Sequence, residues 1–572
     1  MQLLAALVRV PRNGRDAGIR KHDIDAALLG DDTAEEVADR IRICDVDGRR
    51  AHIAAARSQP RRLRLGPLAV DVRERHLRAA VGQHLGDGEP ETAGRAGDDG
   101  ALSAHVEEAS RQVWHRGSLI GERRYATTMS RRYHVTTFGC QMNAHDSERI
   151  KGMLEELGLG EAASQDEADV IVFNTCTIRE KPDTKLAAYL GNAAAQKRAN
   201  PDTVIAVGGC YAEAQRERLF SLYPQVDVAF GPGTIPHLAE WLGAGGFGVP
   251  RSAFGTGEER SFAATLPMHR ERRFQAWVQI SMGCNSTCSY CIVPAVRGRE
   301  VSRRPGEVLA EVTRLAHEGV RELTLLGQNV NSWGRDLLPD IHTEFGELLR
   351  ACDAVEGIER IRFTSPHPKD FRRPVIEAMA ECEAVCEHAH LPLQSGSTRL
   401  LKIMRRTYSR ERYLRLVDDL RAGIPDLALT TDIIVGFPGE TEDDFRETLE
   451  VVDEVGFDGA FTFVYSPRAG TDAAAMPDQV PDELKRERIE RLVEVVQRNA
   501  AARNEQRVGR IEEVLVEGAS RTDPALLRGR TRRNTTVNFS GAAATGDLVD
   551  VLIERATSTT LGGSQAAVAV AS

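Results

Sequence analysis

The 572-residue sequence predicts an α/β protein built from several domains. An N-terminal parallel α/β domain is expected first, then a central (βα) barrel, partial or complete, then a small antiparallel β-barrel. Three observations carry this. After residue 129, apolar strand-like runs alternate with helix-like stretches, the pattern of parallel sheets. Six more strand-helix units follow a Gly- and Pro-rich break. Beyond Val508 the text turns into short strands and turns.

Composition excludes several classes. The chain is 41% hydrophobic and 28% charged, with a mean hydropathy of −0.33. No stretch approaches the ~20 apolar residues of a membrane helix. The opening MQLLAALVRV has neither a basic start nor a cleavage site, so neither a transmembrane nor a secreted protein is expected, and the location is cytoplasmic. A net charge of −10, from 74 basic and 84 acidic side chains, excludes a globally basic nucleic-acid binder but allows local basic patches. Ten cysteines are too few for a disulfide scaffold of this length. In a reducing compartment they are free, metal-bound or catalytic.

Residues 1–128 differ from the rest. They hold twenty Arg but no Phe, one Trp (Trp114), one Tyr (Tyr125) and one Lys (Lys21), a poor composition for a core. They are expected to be a disordered extension or an artefact of the start site. The rival is a small helical domain, since AALLGDDTAEEVADRIR has an amphipathic pattern. In 129–245, the strand-like runs YHVTTFGC, DVIVFNTC and TVIAVGGC end at Cys140, Cys176 and Cys210. Ligands gather beyond the carboxyl ends of parallel strands, so these three can converge although 36 and 34 residues separate them. The bland alternative is three buried core cysteines.

Residues 246–272 read as a linker. In 273–504 six strands are expected at 276–282, 321–327, 360–365, 388–394, 427–437 and 459–466, with a site at their C-terminal ends. The amphipathic stretch DELKRERIERLVEVVQRNAAARNEQR closes this domain, and 505–568 supplies the small barrel.

The sharpest local feature is Cys284-Asn-Ser-Thr-Cys288-Ser-Tyr-Cys291, a CxxxCxxC after the first barrel strand. Three thiolates on one loop can hold three irons of a 4Fe–4S cluster and leave the fourth open. A structural zinc site would need a fourth ligand, and the next cysteine, Cys352, lies 61 residues on. Cys352, Cys382 and Cys386 match no ligand position. The last two are expected to pack on a helix before the fourth strand.

This loop resembles that of the radical S-adenosylmethionine (SAM) enzymes. With TFGCQMNAHDSE (137–148), FNTCTIRE (173–180), LLGQNVNSWG (325–334), HLPLQSGSTRLLKIMRR (390–406), DIIVGFPGETEDDF (432–445) and YSPRAGT (465–471), the chain resembles the methylthiotransferases from residue 129 to about 568. The resemblance implies an N-terminal methylthiotransferase domain, a radical SAM partial barrel and a TRAM-like C-terminal barrel. It implies two 4Fe–4S clusters, a radical-generating one on Cys284, Cys288 and Cys291 and a sulfur-handling one on Cys140, Cys176 and Cys210. SAM would be bound by Tyr290, Gln328, Asn329 and Gln394, with no catalytic residue beyond the cluster ligands. GFPGE (436–440) is either part of that site or only a strand-to-helix turn.

Within the family, CQMN and GQNVN point to methylthiolation of carbon 2 of N6-isopentenyladenosine at tRNA position 37, in the anticodon loop. The alternatives are ribosomal protein S12 or a threonylcarbamoyl-adenosine of tRNA as target. From other classes, an electron-transfer iron–sulfur protein and a zinc-bound RNA-binding protein remain. The implied partners are tRNA and a reductant such as flavodoxin or ferredoxin, with no membrane and a monomeric chain. Basic clusters at 296–304, 402–415 and 528–534 are candidate tRNA contacts or solvated faces, with Arg530, Arg532 and Arg533 favoured for tRNA.

Overall fold

A computed structural model of the chain describes residues 131–177, 180–244, 251–257, 262, 266–339 and 341–566, and the antiparallel pairing of Ile43–Cys44 with Arg50–Ala51. The expectations for residues 1–128 otherwise lie outside the described residues. Among the described residues no helix is long and apolar enough to cross a membrane.

Strands apolar at every position suit a sheet covered on both faces. VIVFNT and VIAVGG behave so: Val170–Thr175 (β3) and Val204–Gly209 (β4) are buried throughout. With Arg132–Thr137 (β1), Gly160–Glu161 (β2), Val228–Phe230 (β5) and Arg251–Ala253 (β6) they form one parallel sheet, in the order β2-β1-β3-β4-β5-β6. Alternate residues feed opposite cores: Ile171, Phe173, Ile205 and Val207 on one face, Val170, Val172, Val204 and Ala206 on the other. β6 lies inside the stretch read as linker. A three-residue edge strand needs only backbone pairing with β5, so Gly- and Pro-rich composition hides it.

The next six strands are all parallel: Gln275–Gln279 (β7), Glu322–Leu326 (β8), Arg360–Phe363 (β9), His388–His390 (β10), Ala428–Val435 (β11) and Gly459–Val464 (β12). They form two three-stranded sheets, β9-β8-β7 and β10-β11-β12, joined among the described residues by a bridge between Ile361 and Val385. The barrel is therefore partial, with β7 and β12 at its two ends. Its outer face packs on helices through one large core containing Val278, Leu323, Ile361, Leu429 and Ile433.

Helix Gln141–Glu156 (α1) of the first sheet meets helix Pro305–His317 (α2) of the barrel through buried charge. Glu311 accepts from Arg149 (2.5 Å) and Arg303 (2.5 Å), and Arg149 also donates to Leu266 O (2.7 Å). Burial pushes the Glu311 carboxyl up, but the two guanidiniums outweigh it and hold it below the usual carboxylate range.

Five strands close the last barrel: Ile511–Ala519 (β13), Leu527–Thr531 (β14), Thr536–Ser540 (β15), Leu548–Ala556 (β16) and Thr560–Gln565 (β17), in the order β13-β14-β15-β17-β16. One pair, β15 with β17, is parallel, which departs from the antiparallel expectation. The reason is arithmetic: an odd number of strands closed in a ring cannot alternate direction all the way round.

The segment Arg530–Arg533, favoured for tRNA, is instead a docking segment. Arg360 donates to Arg530 O (2.7 Å) and Glu513 Oε1 (2.7 Å), and Arg362 to Thr531 O (2.8 Å) and Arg532 O (2.9 Å). Arg532 pairs with both oxygens of Glu387 (2.8 Å each), and Arg533 with Asp458 (2.5 Å). Arg530 turns back to Glu517 and Asn534 of its own barrel. A cluster of arginines in sequence shows charge, not where its partners stand.

Candidate active site

Register brings the dispersed cysteines together. Thr137 pairs with Asn174, and Thr175 with Gly209, so Cys176 and Cys210 follow directly from neighbouring strand ends while Cys140 caps α1 beside them. The approach is tight. A Cβ at Gly139 would stand 2.5 Å from Cys176 Cβ, and one at Gly209 would stand 2.3 Å from Thr175 O; both residues have positive φ. Asn143 ties the loops, donating to Asn174 Oδ1 (3.2 Å) and Thr175 O (3.1 Å) and lying 3.4 Å from the Cys140 sulfur. Cys176 and Cys210 are buried and Cys140 is exposed.

The second triad is held by the loop itself and by one helix end. Cys284 Sγ accepts from Ser286 N–H (3.4 Å), and Ser289 bonds to Met404 O and Ile403 O at the end of Thr398–Ile403 (α3). Tyr290 sets its edge against Phe437 (6.2 Å), which in turn meets Tyr465 (5.2 Å). Burial pushes the Cys291 thiol up to about 12 and raises Cys284 and Cys210 as well. These thiols keep their protons until a metal displaces them.

Two buried arginines, neither foreseen as site residues, reach the sulfurs. Arg406 donates to Cys288 Sγ (3.5 Å) and Pro392 O (3.5 Å) and is fixed by Tyr408 OH (3.0 Å). Arg297 ends the short helix Val293–Arg297 just after the loop. It donates to Cys210 Sγ (3.3 Å) and Asp146 Oδ2 (3.2 Å), so it joins the loop carrying one triad to a cysteine of the other. Both lie in stretches read as basic patches, and their only sequence signal was nearness to CxxxCxxC and to HLPLQ.

Beside the loop, at the ends of β7 and β8, lies a set of orphaned polar atoms. Gln279 Oε1 and Nε2, Ser281 Oγ, Gln328 Nε2 and Asn329 Oδ1 are buried without a hydrogen-bond partner among the described residues. Gln328 Oε1 accepts from Gly283 N–H, and Asn329 donates to Asp370 (2.7 Å). Gln394 is buried with φ +67°, its backbone bonded to Asp432 O (2.8 Å) and Ile434 N (2.9 Å). Buried orphans of this kind fit a polar ligand such as the amino-acid end of SAM. GFPGE is a strand-to-helix turn: Glu440 accepts from Gly436 N–H (2.6 Å) and Arg488 (2.8 Å). Cys352, Cys382 and Cys386 are buried packing residues, but Cys382 only caps its helix and Cys386 lies beyond it.

Among the described residues no three His, Cys, Asp or Glu side chains stand close enough to hold one metal ion.

Family models match three stretches: the radical SAM superfamily over 278–452, the uncharacterized protein family UPF0004 over 132–231, and the TRAM domain over 505–565. The tRNA-2-methylthio-N(6)-dimethylallyladenosine synthase of Mycolicibacterium smegmatis is 49% identical over 416 residues, 72% of this chain and 81% of its own. That of Thermobifida fusca is 51% identical over 421 residues, 72% of this chain and 84% of its own. The chain belongs to the radical SAM methylthiotransferase family.

Radical SAM methylthiotransferases use SAM and carry two 4Fe–4S clusters, and this member presents two separate thiol triads. Among solved structures, the radical SAM methyltransferase TsrM of Kitasatospora setae is 16% identical over 60% of this chain and 77% of its own, with a TM-score of 0.44.

Proposed function

We propose that this methylthiotransferase modifies tRNA, placing a methylthio group on carbon 2 of N6-isopentenyladenosine at position 37. The observation that carries the reading is the pairing of a loop triad with a strand-end triad through one buried arginine, Arg297, in a chain that also carries a TRAM domain. In this reading Cys284, Cys288 and Cys291 hold the radical-generating cluster, and Cys140, Cys176 and Cys210 the sulfur-handling one. Gln328, Asn329 and Gln394 border SAM together with Gln279 and Ser281, while Tyr290 braces the loop against Phe437. When bound, these groups supply a hydrogen-abstracting radical, a sulfur atom and a methyl group.

The chain's own residues do the rest. Arg406 and Arg297 donate hydrogen bonds to ligand sulfurs, which lowers the negative charge each cluster presents. Gly139 and Gly209 let three loops close over the strand ends. The same reading assigns the enzyme to the cytoplasm as a monomer, reduced by a flavodoxin or ferredoxin, with domains at 129–245, 273–504 and 505–568.

Nucleoside mass spectrometry of tRNA from cells lacking the protein tests this. Loss of the methylthio group, accumulation of isopentenyladenosine and reversal by the restored gene are expected. An unchanged tRNA profile overturns the substrate and directs the test to ribosomal protein S12.

A further inference from the structure

The barrel's inner wall carries a polar and aromatic group that none of the roles above uses. Along β11, Leu429, Ile433 and Val435 enter the core, so Thr430, Asp432 and Ile434 face the other way, into the barrel. On β12, Ala460 packs on the core while its neighbour Phe461, in register with Asp432, faces inward and is 60% exposed. An aromatic ring left this open on a concave wall is unusual, because burial of its apolar surface is favourable. Its edge meets the His390 ring at 6.0 Å. His390 is itself held at both nitrogens: Nε2 lies 3.3 Å from Asp432 Oδ2 and Nδ1 lies 3.0 Å from Thr430 Oγ1. The Thr430 hydroxyl in turn meets His388 Nε2 at 3.0 Å. The imidazole is thus locked, and the Asp432 side chain stays 27% exposed with acceptor capacity to spare.

The height of this group on the wall matters. Arg406 links Cys288 to Pro392 O, and His390, the last residue of β10, precedes Pro392 by two residues. His390 therefore stands about 7 Å of extended chain from the residue that Arg406 ties to the radical loop. A ligand held there lies within reach of chemistry started at that loop.

We propose that Phe461, Asp432 and His390 form the recognition site for an N6-substituted adenine, the ring resting on Phe461 and its N6–H donating to Asp432. This rests on the proposed function and names the residues that select its substrate. Unstacked bases are read by aromatic stacking and by hydrogen bonds to their edges, which is what this wall offers. An isopentenyl substituent extends the apolar contact with Phe461. A threonylcarbamoyl group would instead bring a second carboxylate toward Asp432.

SAM also carries adenine, and binding measurements separate the two sources. The full chain, loaded with its clusters under anaerobic conditions, is titrated with anticodon stem-loops bearing isopentenyladenosine or unmodified adenosine at position 37, and separately with SAM. The wild-type protein is expected to prefer the isopentenylated loop. Phe461→Ala should weaken that loop by roughly ten- to hundredfold and collapse the preference, since base stacking on an aromatic is of that size. Phe461 is exposed, so its removal opens no core cavity. Asp432→Ala should weaken both loops in parallel, with recovery in Asp432→Asn, whose carbonyl still accepts. A preference that survives Phe461→Ala overturns the site. Loss of SAM affinity with the loop preference intact assigns the wall to the cofactor's adenine and overturns it too. Equal binding of both loops by the wild-type protein overturns the substrate reading beneath it.

Discussion

The two cysteine triads are assembled on opposite plans. Cys284, Cys288 and Cys291 fall within eight residues of one loop, so their proximity is nearly covalent. Cys140, Cys176 and Cys210 span 71 residues and meet only because β1, β3 and β4 are adjacent and in register. Each plan needs different support. The loop is braced by contacts of its own Ser289 and Tyr290 and by Arg406 from outside, whereas the strand ends need glycines at 139 and 209 and the Asn143–Asn174 pair merely to fit. Each triad nonetheless receives a guanidinium on a sulfur, Arg297 on Cys210 and Arg406 on Cys288. Convergence on that device from two backbones suggests that the sulfur-bound charge matters more than the way the thiols are gathered.

The largest expected effect separates ligand cysteines from packing ones. Cys288→Ala and Cys176→Ala should each bring iron from about eight to about four per chain. Cys352→Ala, in the core, should leave iron at about eight. Anaerobic iron and sulfide analysis reads this directly, and equal loss in all three would break the comparison.

Next in size is the link between the triads. Arg297→Met takes the guanidinium from buried Asp146 and leaves it His145 at 3.3 Å, at a cost of about 3–5 kcal/mol in denaturant unfolding. It should also loosen iron at the strand-end triad by roughly ten- to hundredfold. Arg297→Lys restores charge but not the two-pronged geometry and should recover only part. Arg406→Met should loosen iron at the loop triad alone. Iron loss confined to the loop triad in both variants would show that Arg297 does not serve Cys210.

The smallest effect concerns the terminal barrel. Arg532→Ala should cost about 1–3 kcal/mol by removing its bonds to Glu387, Glu383 O and Val385 O, and should speed hydrogen exchange across residues 511–565. The salt dependence of tRNA binding should stay as it is in the wild type. A reduced salt slope with unchanged exchange would return Arg532 to the RNA surface.

Much of this protein was legible before its fold. Strand runs ending in cysteine, the CxxxCxxC loop and the change of texture at Val508 follow from local periodicity, which the backbone repeats of 2.0 and 3.6 residues impose whatever the surroundings. What was misread shares one cause. Arg251–Ala253, Arg297, Arg406 and Arg532 have ordinary local contexts, and their roles depend on partners 23 to 151 residues away. Sequence determined which residues could be ligands and roughly where each domain's strands run. Tertiary structure alone decided which thiol receives which arginine, which basic residues are spent on docking, and that His390, Asp432 and Phe461 share one wall. Strand register and face set the last of these meetings, and a shift of one residue would turn His390, Asp432 or Phe461 to the other side.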